Sequence, residues 1–235
     1  MARNKQRSYG FTLIEVLVAI SVLGLLMSAL MVAFNTAVST VQDMQQKSEM
    51  MQNLRASTEQ LHRELSQAII NNNRPDGEQV YFEIKQLSID QSVLRFGCTT
   101  ERGLLEVAYQ IKEVNYPTEG TPLWLDYELW RLNKTKDMWN YHEEKWPEID
   151  YDTPEAEPFA FGIISFKVRY WSTQNSRWVA GNWDSFQRNS MPRKIQVIIS
   201  ALPKQRAKES RGITDMNQIK GIETFKVEIT LPQSR

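Results

Sequence analysis

Nineteen consecutive residues, Val16 to Phe34, carry no ionisable side chain. No other feature limits the possible structures of this chain as strongly. At about 1.5 Å of rise per residue, a helix over that run spans roughly 28 Å, close to the hydrocarbon core of a bilayer. Arg3, Lys5 and Arg7 lie just before it. The positive-inside rule therefore holds the N-terminus in the cytoplasm and sends the rest outward. Two other readings use the same residues: a secretory signal peptide cleaved near Ala37-Val38-Ser39, and a plain single-pass anchor. The apolar run is longer than a usual signal-peptide core, and Glu15 interrupts its beginning.

Glu15 needs an explanation. A carboxylate at the bilayer centre costs on the order of 2.5–3.5 kcal/mol, and somewhat less near the edge. It should have a partner, unless the side chain snorkels to the headgroups.

The order of features is specific: a basic leader, Gly10, the aromatic Phe11, a lone Glu five residues after the Gly, then a membrane-length run. It resembles the type III signal of type IV pilins and type II secretion pseudopilins. The resemblance implies that a prepilin peptidase cuts between Gly10 and Phe11 and methylates the new N-terminus, a methylphenylalanine. It also implies that Glu15 meets the α-amino group of Phe11, its own or a neighbouring subunit's, and sets the axial register of assembled helices. Glu15→Ala should then weaken assembly more than folding.

The helix pattern continues past the membrane. Ala37, Thr40, Met44, Lys47, Met51, Leu54, Thr58, Leu61, Leu65 and Ala68 follow three- and four-residue steps, with Lys47 a break in the stripe. Gln45, Gln46, Glu49, Arg55, Glu59 and Arg63 ride on other faces. The first Pro is Pro75, and Asn71 to Gly77 holds three Asn, a Pro and a Gly, so one helix of about sixty residues is expected to end there. Coiled-coil dimerisation would use the same stripe, of which Met44, Met51, Leu54, Leu61 and Leu65 are the packing positions.

After Gly77 the period changes. Val80 to Ile84, Val93 to Phe96, Leu104 to Tyr109, Leu123 to Leu132, Ile163 to Trp171, Lys194 to Ala201 and Thr224 to Leu231 read as strands. Phe166 to Tyr170 and Phe225 to Ile229 alternate, so each should have one wet face. No helix-length pattern separates the strands, which argues for antiparallel pairing. The expected fold is α+β: a long helix, transmembrane then amphipathic, packed on an antiparallel β head. The expected divisions are a leader 1–10, a transmembrane helix 11–36, a periplasmic helix 37–74 and a head 78–235.

Charge and composition exclude several functions. The 28 basic residues balance 28 acidic ones; loss of three leader cations leaves 25 against 28, or −3. Such a balance suits neither phosphate backbones nor DNA uptake, so no nucleic-acid partner is expected. Cys98 is the sole cysteine and should be a small buried residue. Residues 143–158 carry seven acids against Lys145, with three prolines, and 203–221 are mostly basic; both read as long loops that are either solvated or docked on neighbours by charge. The acidic stretch lacks the glycine and spacing of a calcium loop. Trp171, Trp178 and Trp183 suit core and hairpin packing more than a ligand platform. Two separated histidines, His62 and His142, and one Cys offer no metal set or nucleophile–base pair, so neither a cofactor, a metal nor an enzyme activity is expected.

A second resemblance narrows the first. Ile163 to Trp171, then Trp178 and Trp183, then Met191-Pro192-Arg193-Lys194-Ile195-Gln196-Val197 are similar to the minor pseudopilin J subunit family of type II secretion. Met191 stands where Leu is commoner in that family. Glu15 separates the chain from the K subunit, which typically lacks this carboxylate. The likeness implies a hetero-oligomer with the I, K and H subunits at the tip of a pseudopilus, anchored in the bacterial inner membrane with its head in the periplasm. The Ala37–Ala68 face would pack on sister helices. A long minor pilin of a type IV pilus or competence system, or an anchored β-rich binding domain, are the other roles consistent with these residues.

Overall fold

The computed structural model describes residues 12–70, 80–101, 103–113, 127–135, 154, 156–203 and 218–232. The chain divides into two compact units, Met1–Gln45 and Gln46–Arg235. The first holds the N-terminal part of helix α1, which runs Leu13–Ser66 and is long and apolar enough to cross a membrane. Its large apolar side chains are exposed throughout, from Leu13 at 82% to Phe34 at 65%.

The second unit contains the end of α1 and two antiparallel sheets. The strands are β1 (Ala68–Ile69), β2 (Phe82–Gln86), β3 (Ser92–Thr100), β4 (Gly103–Glu113), β5 (Tyr127–Thr135), β6 (Ala156–Phe161), β7 (Ile163–Ser172), β8 (Arg177–Ala180), β9 (Trp183–Asp184), β10 (Lys194–Ala201) and β11 (Glu223–Thr230). A four-residue helix α2, Ser185–Arg188, follows β9. One sheet has the order β6-β5-β4-β3-β2-β9, with β1 pairing to β3; the other has the order β11-β10-β7-β8. The α+β architecture expected from the change of period is present.

Leu54, Leu61, Leu65 and Ala68 are fully buried in one core with the inner faces of both sheets. Rings step across that core from strand to strand: Phe82 to Phe96 at 6.2 Å, Phe96 to Tyr109 at 6.3 Å, and Tyr109 to Phe159 edge-on at 5.0 Å. On β11, Phe225, Val227 and Ile229 pack on this core while Lys226 and Glu228 are exposed, as the alternation predicts.

Two expectations need correction. The helix ends at Ser66, not near residue 74. Ser66 Oγ donates to the His62 carbonyl at 2.7 Å, and the Gln67 N–H tightens onto the Glu64 carbonyl. Ala68 and Ile69 then pair with Cys98 and Gly97, a strand role that suits β-branched Ile69 better than a fraying helix end. Gly97 leaves room for Val80 beside this pairing, because a Cβ there would lie 2.2 Å from Val80 Cγ1. Second, Ala156 to Pro158 do not belong to a loop; they form the start of β6 against Leu132, Arg131 and Trp130. Leu123 to Asp126, the expected start of β5, lie outside the described residues. Residues 143–153, residues 204–217 and the Asn71–Gly77 stop signal lie outside the described residues.

The two sheets are joined by very little chain. Gly162 alone separates β6 from β7, with φ +67°, and its carbonyl accepts the Leu202 N–H at 2.9 Å. A side chain there would meet both a disfavoured backbone and the Leu202 carbonyl oxygen at 2.9 Å.

Candidate assembly site on the N-terminal helix

Gly10 and Phe11, the expected processing residues, lie outside the described residues. Glu15 lies within them, and its partner is local. Its Oε2 accepts the Thr12 backbone N–H and the Thr12 hydroxyl, both at 2.9 Å. The Thr12 hydroxyl oxygen in turn accepts the Glu15 N–H at 3.4 Å. Thr12 is thus the N-cap and Glu15 the third helical residue of a capping box. The sequence carries that signal as Thr-x-x-Glu; the other expected partner, the α-amino group of Phe11, lies outside the described residues. The carboxylate is satisfied within its own first turn, and the turn is well formed without a second chain.

The helix face expected to meet sister helices divides in two. Met44 is 67% exposed and Met51 half-buried. Leu54, Leu61 and Leu65 are wholly buried in their own head, so they are not free to contact another helix. They pack inward because their four- and seven-residue spacing puts them on one side of α1, over the aromatic rings of β3 and β4. Arg55, Glu59, His62 and Arg63 occupy the outward side.

Residues 5–31 match the prokaryotic N-terminal methylation motif. The match covers Lys5 and Arg7 of the basic leader, the Gly10-Phe11 step, Glu15 and most of the apolar run. It supports a type IV pilin-like protein, pilin or pseudopilin, that is processed by a prepilin peptidase and held in a membrane by one helix. No curated protein and no solved structure matches the chain.

Behind the motif-bearing helix, the structure shows a polar site that sequence reasoning missed. Glu64, on the flank of the buried stripe, enters the core from α1. Arg131 on β5 is 7% exposed in its side chain and donates to Glu64 Oε1 through Nη2 at 2.7 Å and Nε at 3.1 Å. Tyr109 on β4 donates its hydroxyl to Glu64 Oε2. The remaining Arg131 nitrogen, Nη1, reaches Glu157 of β6 at 2.7 Å. The strand register explains the assembly: Tyr109 pairs with Arg131 and Arg131 with Glu157, one row across three strands. Burial opposes the Arg131 charge, but the Glu64 carboxylate outweighs it and raises the guanidinium pKa above its usual value. Burial, then Glu64, push the Tyr109 phenol well above its ordinary range. A single residue in each of four separated segments builds this group, so no linear motif marks it.

Cys98 is buried in β3, as expected; burial first, then Glu64, push its thiol up to about 12. Three of the described tryptophans sit in ring pairs, Trp183 packed on the core and Trp171 and Trp178 half-buried outside it. Trp171 and Trp178 face each other across β7–β8 at 5.3 Å, and Trp183 meets Tyr170 at 4.9 Å beneath the Arg188 guanidinium. Among the described residues no group of three or more His, Cys, Asp or Glu is placed to hold a metal.

Proposed function

We propose that this chain is a minor pseudopilin of a type II secretion pseudopilus, of the J kind, whose role is assembly rather than catalysis. The observation that carries the reading is the methylation motif over residues 5–31 on a helix whose large apolar side chains from Leu13 to Phe34 are exposed. Support for the J assignment comes from the β7–β8 hairpin with its Trp171–Trp178 pair, followed by Met191-Pro192-Arg193 leading into β10. After cleavage behind Gly10, Thr12 is the second residue of the mature chain. Glu15 then exchanges its Thr12 bonds for a subunit's α-amino group, a charged donor that makes the stronger hydrogen bond. Its partners are the prepilin peptidase and the I, K and H subunits; the head lies in the periplasm.

Intact mass and N-terminal sequencing, from cells with and without prepilin peptidase, test the first half. Loss of residues 1–10 with a methylated Phe11, only when the enzyme is present, is the expected result. An unprocessed chain or a start near Thr40 overturns the whole reading. Co-purification with I, K and H subunits tests the second half. Recovery instead with type IV pilus subunits would make the chain a minor pilin, and recovery alone an anchored binding domain.

A further inference from the structure

The end of α1 is held unequally on its two flanks. On one flank, Ser57 donates to the Phe159 carbonyl at 2.8 Å in the core, and Glu64 is gripped by Arg131 and Tyr109. On the other, Thr58, Glu59, His62 and Arg63 border an open groove of about 470 Å³ that reaches Val227 of β11. Between the flanks the buried contact is chiefly Leu54, Leu61 and Leu65 with Met50 packed beside them, and one exposed ion pair, Lys47 to Glu223 of β11, lies further up the helix. Leucines on a stripe are non-directional and tolerate sliding or rolling, whereas a forked guanidinium–carboxylate pair is satisfied in one geometry only.

We infer that Ser57 and the Glu64–Arg131–Tyr109 group form a register lock, which fixes the rotation of α1 on the head and stops it rolling into the groove beside β11. Their contribution is to uniqueness more than to stability, since a buried ion pair roughly breaks even against well-packed apolar groups of its own size. Arg131 and Tyr109 are positioning residues in this scheme. They decide which outward side chains of the helix, Arg55, Glu59, His62 and Arg63, the surface presents. The inference does not depend on the pseudopilin assignment, because it concerns one chain.

The test is a pair of nitroxides on the full-length protein in detergent, at Gln52→Cys and Glu101→Cys in a Cys98→Ala background; both sites are exposed. The unaltered lock should give one narrow distance. Replacing it with apolar side chains, Glu64→Leu with Arg131→Met and Tyr109→Phe, should keep the melting temperature nearly unchanged and split or broaden the distance. A roll by one residue, 100° on a cylinder about 11 Å across, moves a surface side chain by roughly 8 Å. Glu64→Gln alone, whose oxygen still accepts from Arg131 and whose amide N–H can donate to the Tyr109 oxygen, should keep the narrow peak. Should the triple variant not fold, Ser57→Ala with Tyr109→Phe removes two bonds while leaving the ion pair, and should broaden the distance. A folded variant of either kind whose distance stays single, narrow and unmoved overturns the lock.

Discussion

The two compact units use apolar side chains in opposite ways. In the first, Leu17, Leu23, Leu26 and Leu30 are each more than half exposed, and the helix there meets no other described element within its own unit. In the second, Leu54, Leu61 and Leu65 of the same helix show no exposed surface. The same residue type therefore has its solvent supplied from outside in one unit and from the chain itself in the other. What differs is the company: the first stretch has no polar face to turn outward, while the second alternates its leucines with charged and amide residues. Stability of the head should depend on the second set and be indifferent to the first.

The largest effect should come from leaving a charge unpaired inside the head. Arg131→Ala strands Glu64 in the core, and a loss of about 3–5 kcal/mol is expected in urea unfolding. A loss below about 1 kcal/mol, the range of exposed pairs, would show the site to be wetter than its burial indicates. Next comes the leucine contrast itself. Leu61→Ala should cost the head about 2–5 kcal/mol, while Leu30→Ala leaves its melting curve in place. Equal shifts for the two would erase the distinction between the units.

Alkaline pH sharpens the same contrast, since Cys98 belongs to the head alone. A thiol raised from 9.0 to about 12 by folding keeps the native state protonated where the unfolded chain is not. Its stabilisation is complete below about pH 9 and lost as pH rises through about 12. Cys98→Ala should flatten the fall in urea midpoint over that window; an unaltered slope would assign the fall to Tyr109 and other groups. The smallest effect is expected at the surface. Lys47 meets Glu223 at 2.6 Å with both side chains partly in solvent, and Lys47→Ala should change stability by less than about 1 kcal/mol.

What could be read in the sequence was whatever repeats at a fixed spacing or gathers apolar residues. The leucine stripe and the strands β7 and β11 declared themselves by period, and the apolar run and the strands β2, β3, β4 and β10 by their apolar composition. Glu157 did not, because it sits among acids and prolines that suggest a loop, and only pairing with β5 turns it inward toward Arg131. Glu64 looked like another solvated residue of an amphipathic helix. Its burial depends on Tyr109 and Arg131, which lie 45 and 67 positions away. At Glu15 the capping partner Thr12 was legible as Thr-x-x-Glu, while Phe11, whose amine is the other expected partner, lies outside the described residues.

Gly162 has a mechanical meaning. The last strand of one sheet and a central strand of the other follow each other with one residue between them. Along the β6–β7 connection, tension entering either sheet passes to its neighbour through a single α-carbon, with no slack to absorb it. The head should therefore yield as one body, in a single rupture, when a pull is applied between its α1 end and its C-terminal strand.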